Sequence, residues 1–257
     1  MKKHAFLVLL LITFSFISAQ EVIENPEKPL NKNAGRVLKL EEELRITDES
    51  GEFYFSYPNT IKVAYDDSIF INDSQQLLRF DKNGHFIRNY FVKGQGPGEL
   101  TSVNNYVLTE DAIIIYDGRA RRITWLNYDG ELIKDFKIDL EVRLQDFLLF
   151  SNNTYYFSSR DHIITNEKPL VVDQPHRLFA LTHNGKEISE LIEFPVKMYL
   201  LSSQVRAVWR PISRFFTIDF KEEYLIVSHT QDYLIKIFDF GTQSVIRRFN
   251  REYKRVE

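Results

Sequence analysis

The stretch Asp66 to Leu100, DDSIFINDSQQLLRFDKNGHFIRNYFVKGQGPGEL, decides how the rest of the chain is read. Ser68 to Asn72 and Leu77 to Asp81 alternate apolar and polar residues over strand-length runs, and His85 to Phe91 makes a third run after a turn at Asp81-Lys82-Asn83-Gly84. Asp66-Asp67 and Asn83-Gly84 are turn formers that accept tight or positive-φ conformations. With Ile61 to Tyr65 in front, the stretch reads as four short strands followed by a glycine-rich crossing that ends at Glu99.

Weaker copies follow. A second runs through Tyr106 to Leu108, Ala112 to Asp117, Ile123 to Tyr128 and Leu132 to Ile138, turning at Asp129-Gly130. From Gly84 to Gly130 is 130 minus 84, or 46 residues, which matches the period of a four-stranded propeller blade. A third runs through Phe147 to Phe150, Thr154 to Ser159, Leu178 to Thr182 and Glu187 to Phe194, turning at Asn184-Gly185. Its spacing of 185 minus 130, or 55, leaves room for an insertion at Arg160 to His176. Insertions in repeat proteins emerge on one face and often carry function. The fourth is Phe216 to Phe220, Tyr224 to His229, Leu234 to Phe238 and Val245 to Phe249, with a less regular turn at Gly241. Val196 to Pro211, with Trp209 and Arg210, connects the third and fourth copies.

The expected organisation is a signal peptide over 1–19, a linker over 20–35 and an all-β propeller over 36–257. Its blades lie near 58–92, 104–139, 145–195 and 212–250. Lys2 and Lys3 precede an apolar run from Ala5 to Ile17, and Ser18-Ala19 offers a small-residue cleavage site before Gln20. The run falls short of the roughly 20 apolar residues that span a bilayer, so a signal peptide is favoured over an uncleaved anchor. Glu21 to Gly35 is polar, holds Pro26 and Pro29, and has no apolar period. Within 36–57, Arg36 to Ile46 and Glu52 to Tyr57 are read as strands around a turn at Asp48 to Gly51. A helix over Leu38 to Leu44 is the alternative, since Glu41 to Glu43 are good helix formers.

Composition narrows the function classes. Aromatic residues make up 14% of the chain, which fits a folded, strand-rich protein. The net charge is −3, or −5 once Lys2 and Lys3 leave with the signal peptide, so there is no basic surplus of the kind nucleic-acid binders carry. No cysteine is present, which removes disulfides, thiol nucleophiles, thiolate metal sites and a lipid anchor on cysteine. The protein is expected in the periplasm or outside the cell, with no membrane span after cleavage.

The residues of the opening stretch resemble those of NHL-like six-bladed β-propellers of secreted bacterial proteins. The resemblance rests on Asp73, on Phe80-Asp81-Lys82-Asn83-Gly84 and above all on Lys93-Gly94-Gln95-Gly96-Pro97-Gly98-Glu99. In diluted form it runs from about Arg36 through Phe249 to Val256. Ser68 and Val92 depart from it, standing where that family often has glycine. The resemblance implies a six-bladed ring of which four blades are present, with Arg36 to Tyr57 completing the final blade. At about 45 residues per blade it implies roughly 90 residues more. It also implies that Arg122, at the start of a third strand, pairs with a turn aspartate such as Asp117.

No catalytic constellation stands out. Candidate binding residues are Lys93, Gly94, Gln95, Gly96 and Gly98, whose loop either presents N–H groups to an anion or forms a tight crossing stiffened by Pro97, and Arg119 and Arg121, the strongest local positive charge. Asp66, Asp67, Asp73, Asp81, Asp117 and Asp129 are read as turn residues rather than calcium ligands, because Asp81-x-Asn83-Gly84 lacks the distal glutamate of a calcium loop. His85, His162, His176, His183 and His229 form no metal-binding pattern, so no cofactor is expected, although a divalent metal remains open. Trp125, Trp209 and the tyrosines are read first as core and second as the lining of a carbohydrate or peptide site. The expected function is an exported, non-enzymatic binding or scaffolding module for a protein, peptide or carbohydrate. The alternative is a propeller-type lyase or hydrolase with a metal near the central funnel.

Overall fold

The computed structural model describes residues 22–25, 39–49, 51–142, 144–160, 171–173, 175–194, 197–199, 214–218, 224–229 and 234–251. The segment expected to be a signal peptide lies outside them. Every regular element among the described residues is a β-strand, and the strands form antiparallel sheets of the propeller-blade kind. The chain divides into two compact units, residues 37–209 and residues 1–36 with 210–257.

The larger unit holds three four-stranded blades. The first consists of β2 (Pro58–Val63), β3 (Ile69–Asp73), β4 (Gln76–Phe80) and β5 (Phe86–Asn89). The second consists of β6 (Asn105–Leu108), β7 (Ala112–Asp117), β8 (Arg122–Asn127) and β9 (Leu132–Lys137). The third consists of β10 (Asp146–Ser151), β11 (Thr154–Arg160), β13 (His176–Thr182) and β14 (Ile188–Phe194). In each the strands pair in sequence order. Two further short strands, β12 (Val171–Asp173) and β15 (Lys197–Tyr199), pair with each other.

The predicted turns close these blades by one device. Gly84, Gly130 and Gly185 all adopt positive φ, between 72° and 85°, between the third and fourth strands. The residue opening each turn, Asp81, Asn127 or Thr182, takes the glycine N–H on its carbonyl. Its side chain accepts a second N–H further on, from His85, Glu131 or Glu187. These are Asx- and Thr-type turns that hold the hairpin without help from the sheet.

Alternation along the strands gives each blade two apolar faces, because directly opposed residues share a face. Tyr106, Leu108, Ile113, Ile115 and Leu126 of the second blade pack against Ala64, Phe70 and Leu77 of the first. On its other face, Val107, Ile114, Tyr116 and Ile123 pack against Phe147, Tyr155, Phe157, Phe179 and Leu181 of the third. Tyrosine hydroxyls satisfy backbone carbonyls across both seams: Tyr106 donates to Phe70 O at 2.9 Å and Tyr116 to Leu144 O at 3.0 Å. A buried tyrosine fits there because its polar tip finds a partner in the neighbouring blade.

The smaller unit is a five-stranded sheet in the order β1 (Val22–Asn25), β19 (Ser244–Arg251), β18 (Leu234–Asp239), β17 (Tyr224–His229) and β16 (Arg214–Ile218). β1 corrects the expectation of a linker without structure over 20–35. It pairs in parallel with β19, Val22 opposite Arg248 through Asn25 opposite Arg251, and so covers the edge that β19 would leave open. Leu225, Val227, Phe238 and Phe240 are buried, and the rings of the last two meet edge-on at 5.7 Å.

The strands expected at Arg36 to Ile46 and Glu52 to Tyr57 do not form among the described residues 39–49 and 51–57, nor does the alternative helix. The backbone donors go to side chains instead of a ladder. Phe55 N–H bonds the Asp48 carboxylate at 3.1 Å, and the N–H groups of Ser56 and Tyr57 bond that of Asp73. Phe53 and Phe55, with Ile46, then pack on Ile71, Leu78 and Phe80 of the first blade.

Candidate binding surface

The crossing between the first and second blades is a small hairpin. Leu100 N–H bonds Val92 O at 2.8 Å, and Gly94 N–H bonds Leu100 O at 3.1 Å. The anion position inside it is taken by the chain's own Glu99, whose carboxylate accepts Gly96 N–H at 2.8 Å. A Cβ on Gly94 would collide with that carboxylate, so glycine is required for the loop to close on Glu99. From beneath, the Arg122 guanidinium donates to the carbonyls of Gln95, Gly96 and Glu99. Arg122 therefore does not pair with Asp117. Its ion-pair partner is Asp135, at 3.5 Å, and both are shielded from solvent. Asp117 stands opposite Arg122 in register, but its carboxylate turns away to other donors.

Those donors belong to the chain entering the second blade. Asp117 accepts from Thr101 N–H at 2.6 Å, from Ser102 N–H at 3.2 Å, from both of their hydroxyls, and from Arg119 and Ala120 N–H in its own turn. Burial alone would raise this carboxyl's pKa, but the hydrogen bonds from Ala120, Thr101 and Ser102 outweigh it and hold the group below its ordinary value. Asp73 does the same for Ser56 and Tyr57 at the entry to the first blade. The acidic residues at these strand ends latch backbone N–H groups.

Arg119 and Arg121 lie in the turn after Asp117, both exposed, and Arg121 sits at φ 50°. The turn is fixed on both sides: Gly118 N–H bonds the Asn104 side chain at 2.8 Å, and Arg121 O accepts Ile138 N–H at 2.7 Å. Lys93 and Gln95 are also exposed. The crossing loop leans away from the arginine turn, however, and Gly98 lies against Leu132 at the far end of β9. The structure thus divides the sequence candidates into two groups. The glycine loop is a brace built on Glu99 and Arg122, whereas Arg119 and Arg121 are presented to solvent at the latch end of the second blade.

The third blade adds to that same end. Strand parity places the β11–β13 connection and the chain leaving β14 beside each other, since His176 is opposite both Arg160 and Phe194. Both connections contribute to the extra pair, Val171 opposite Tyr199 through Asp173 opposite Lys197. Gln145 N–H bonds Ser158 O at 3.1 Å, which ties the entry of the third blade to the same end.

The sequence gave no warning of the cluster around Arg79. Its guanidinium pairs with Asp66 at 2.5 Å, donates to Ser68 Oγ and Tyr128 O, and stacks 4.8 Å from the Tyr128 ring centroid. Burial is the main cause that pushes the Tyr128 phenol up to about 12. The signal was Ser68, a departure from the resembled pattern that turns out to bridge Asp66 and Arg79. Among the described residues no group of three or more His, Cys, Asp or Glu side chains is placed to hold a metal ion. No helix there is long and apolar enough to cross a membrane.

A family model described as a 6-bladed β-propeller matches residues 46–193, more than half of the chain. The chain belongs to this six-bladed β-propeller family. No curated protein matches it. Among solved structures, a Bacteroides vulgatus protein is 13% identical with a TM-score of 0.51, over 79% of this chain and 59% of that one. A Bacteroides fragilis protein described as exported is 13% identical with a TM-score of 0.48, over 90% of this chain and 80% of that one. A gluconolactonase from Xanthomonas campestris is 12% identical with a TM-score of 0.45, over 76% and 62%. At these identities the likeness speaks to fold alone.

Proposed function

We propose that this six-bladed β-propeller protein is an exported binding or scaffolding module that takes a protein, peptide or carbohydrate ligand at the latch end of its larger unit. One observation carries the reading: two connections leaving the third blade at that end pair with each other as β12 and β15. Ordinary blade connections are short, and a blade does not need an extra strand pair to close. Excursions of this kind on a rigid scaffold are where recognition residues collect. The neighbouring turn of the second blade adds Arg119 and Arg121, exposed and on a backbone held by Asn104, Asp117 and Ile138. Export is inferred from the basic, apolar and small-residue succession of Lys2 to Ala19.

The test is binding of the chain from Gln20 onward to arrays of immobilised bacterial surface glycans and of peptides, beside an Arg119→Ala/Arg121→Ala variant. The reading expects retention of one ligand class, weakened by roughly tenfold or more in the variant, as loss of two charged contacts would produce. Equal retention of both proteins across every ligand they bind would contradict it. So would turnover of a retained ligand.

A further inference from the structure

We propose that the face of the first blade turned away from the second is a ring seam, and that its occupant is a further blade of the same propeller. The face carries two apolar rows across the sheet. Val63, Ile69, Phe80 and Phe86 stand opposite one another in succession, as do Ile61, Ile71 and Leu78. Residues 44–57 cover the outer part of these rows, and Ile71, Leu78 and Phe80 are buried. The inner strand is left open, with Ile61 66% exposed, Val63 64% and Tyr65 69%.

The second blade shows what this strand face does when a neighbour is present. Its inner strand β6 turns Tyr106 and Leu108 towards the first blade, and they are 0% and 7% exposed. The same position in the repeat is therefore buried against one blade and bare on the other.

The entering chain points to the same occupant. In the second blade, residues 101 and 102 are the end of a crossing from the preceding blade, and Asp117 holds their N–H groups. In the first blade, residues 56 and 57 are held in the same way by Asp73. The glycine turns extend the match. A Cβ on Gly130 or Gly185 would strike Arg88 or Phe136, side chains on the outer strand of the preceding blade. A Cβ on Gly84 would meet Leu44 and Ile46. Residues 44–57 thus lie across the first blade as a crossing does, and crossings in this chain run between blades that touch. The matching face is of the kind the first blade itself offers to the second, built on Ala64, Phe70 and Leu77. Membership of a six-bladed family supplies blades of that kind.

The chain has no cysteine, so a single introduced thiol reports on one position. Val63→Cys and, as an exposed reference in the Asp81 to Gly84 turn, Lys82→Cys are made in the full chain and treated with a maleimide under native conditions. Light scattering is run on the same samples. The seam predicts a monomer in which Cys labelling at 63 is at least roughly tenfold slower than at 82, protection that unfolding in urea abolishes. Equal labelling rates would overturn the proposal. Protection that appears only in a dimer and fades on dilution would overturn it too, and would assign the face to a second copy. Protection that appears only when another protein is added would assign it to that protein.

Discussion

The first and second blades are built from the same repeat but are stabilised differently. The second lies between two sheets, and its buried residues Ile113, Ile114 and Ile115 face neighbours on alternate sides. The first has a sheet on one side only. On the other it has an irregular segment whose hold depends on Phe53, on two aspartates and on the Gln76 amide donating to Tyr54 O. A strand is therefore not the only way to cover a blade. A segment with its N–H groups satisfied by carboxylates can bury aromatic side chains as well as a sheet does.

That contrast can be broken in several places. The largest effect belongs to the doubly packed blade. Ile115→Ala removes a fully buried side chain between two sheets and should cost about 2–5 kcal/mol in urea unfolding. A loss under about 1 kcal/mol would mean that the blade seam is not close-packed.

The two latches come next. Asp117→Ala strips partners from four backbone N–H groups and two hydroxyls, and should cost about 2–3 kcal/mol. Asp73→Ala strips two backbone N–H groups and should cost less, about 1–2 kcal/mol. Because the Asp117 carboxyl lies below its ordinary 3.8 in the folded protein, its contribution is present above that pH. It is lost as the pH falls through the lower folded value. The difference between wild type and Asp117→Ala should therefore shrink in strong acid.

The turn glycines give a smaller contrast. Gly84→Ala and Gly185→Ala both strain a left-handed backbone, by about 1–2 kcal/mol. Gly185→Ala also drives a methyl into the Phe136 ring held between blades, whereas Gly84→Ala meets only the tips of Leu44 and Ile46 at 3.1 Å. Thermal unfolding should rank Gly185→Ala as the more damaging of the two. The smallest effect is local. His85→Ala should let the Asp81 carboxyl rise from about 2 towards its ordinary value, because the His85 ring hydrogen bond is the main cause of the depression. Carboxyl carbon shifts followed against pH would report it.

What the sequence made legible was whatever is local. The three glycine turns and the order of strands in each blade follow from alternation and turn chemistry within about ten residues. Ala112 to Asp117 is met in the structure at the same bounds. The pairings hidden in the sequence join distant residues. Nothing near Val22 announces Arg248 as a partner, and nothing near Ser56 announces Asp73. Phe53 and Phe55 alternate as a strand would, and they do face one apolar surface. The pattern reports burial of one side, which an extended segment without a ladder also provides. The glycine loop was legible as a tight crossing, but its brace was misassigned. Arg122 was matched to the nearest carboxylate in sequence, whereas its side chain runs under the loop to Asp135.

The measurement that tests this account most directly is amide hydrogen exchange over residues 53–57 in the wild type and in Asp73→Asn. The account predicts slow exchange at Ser56 and Tyr57 although they lie in no strand, with protection lost in the variant and retained at Thr101 and Ser102. Fast exchange at Ser56 and Tyr57 in the wild type would contradict it. It would mean that the face of the first blade is not held by this segment.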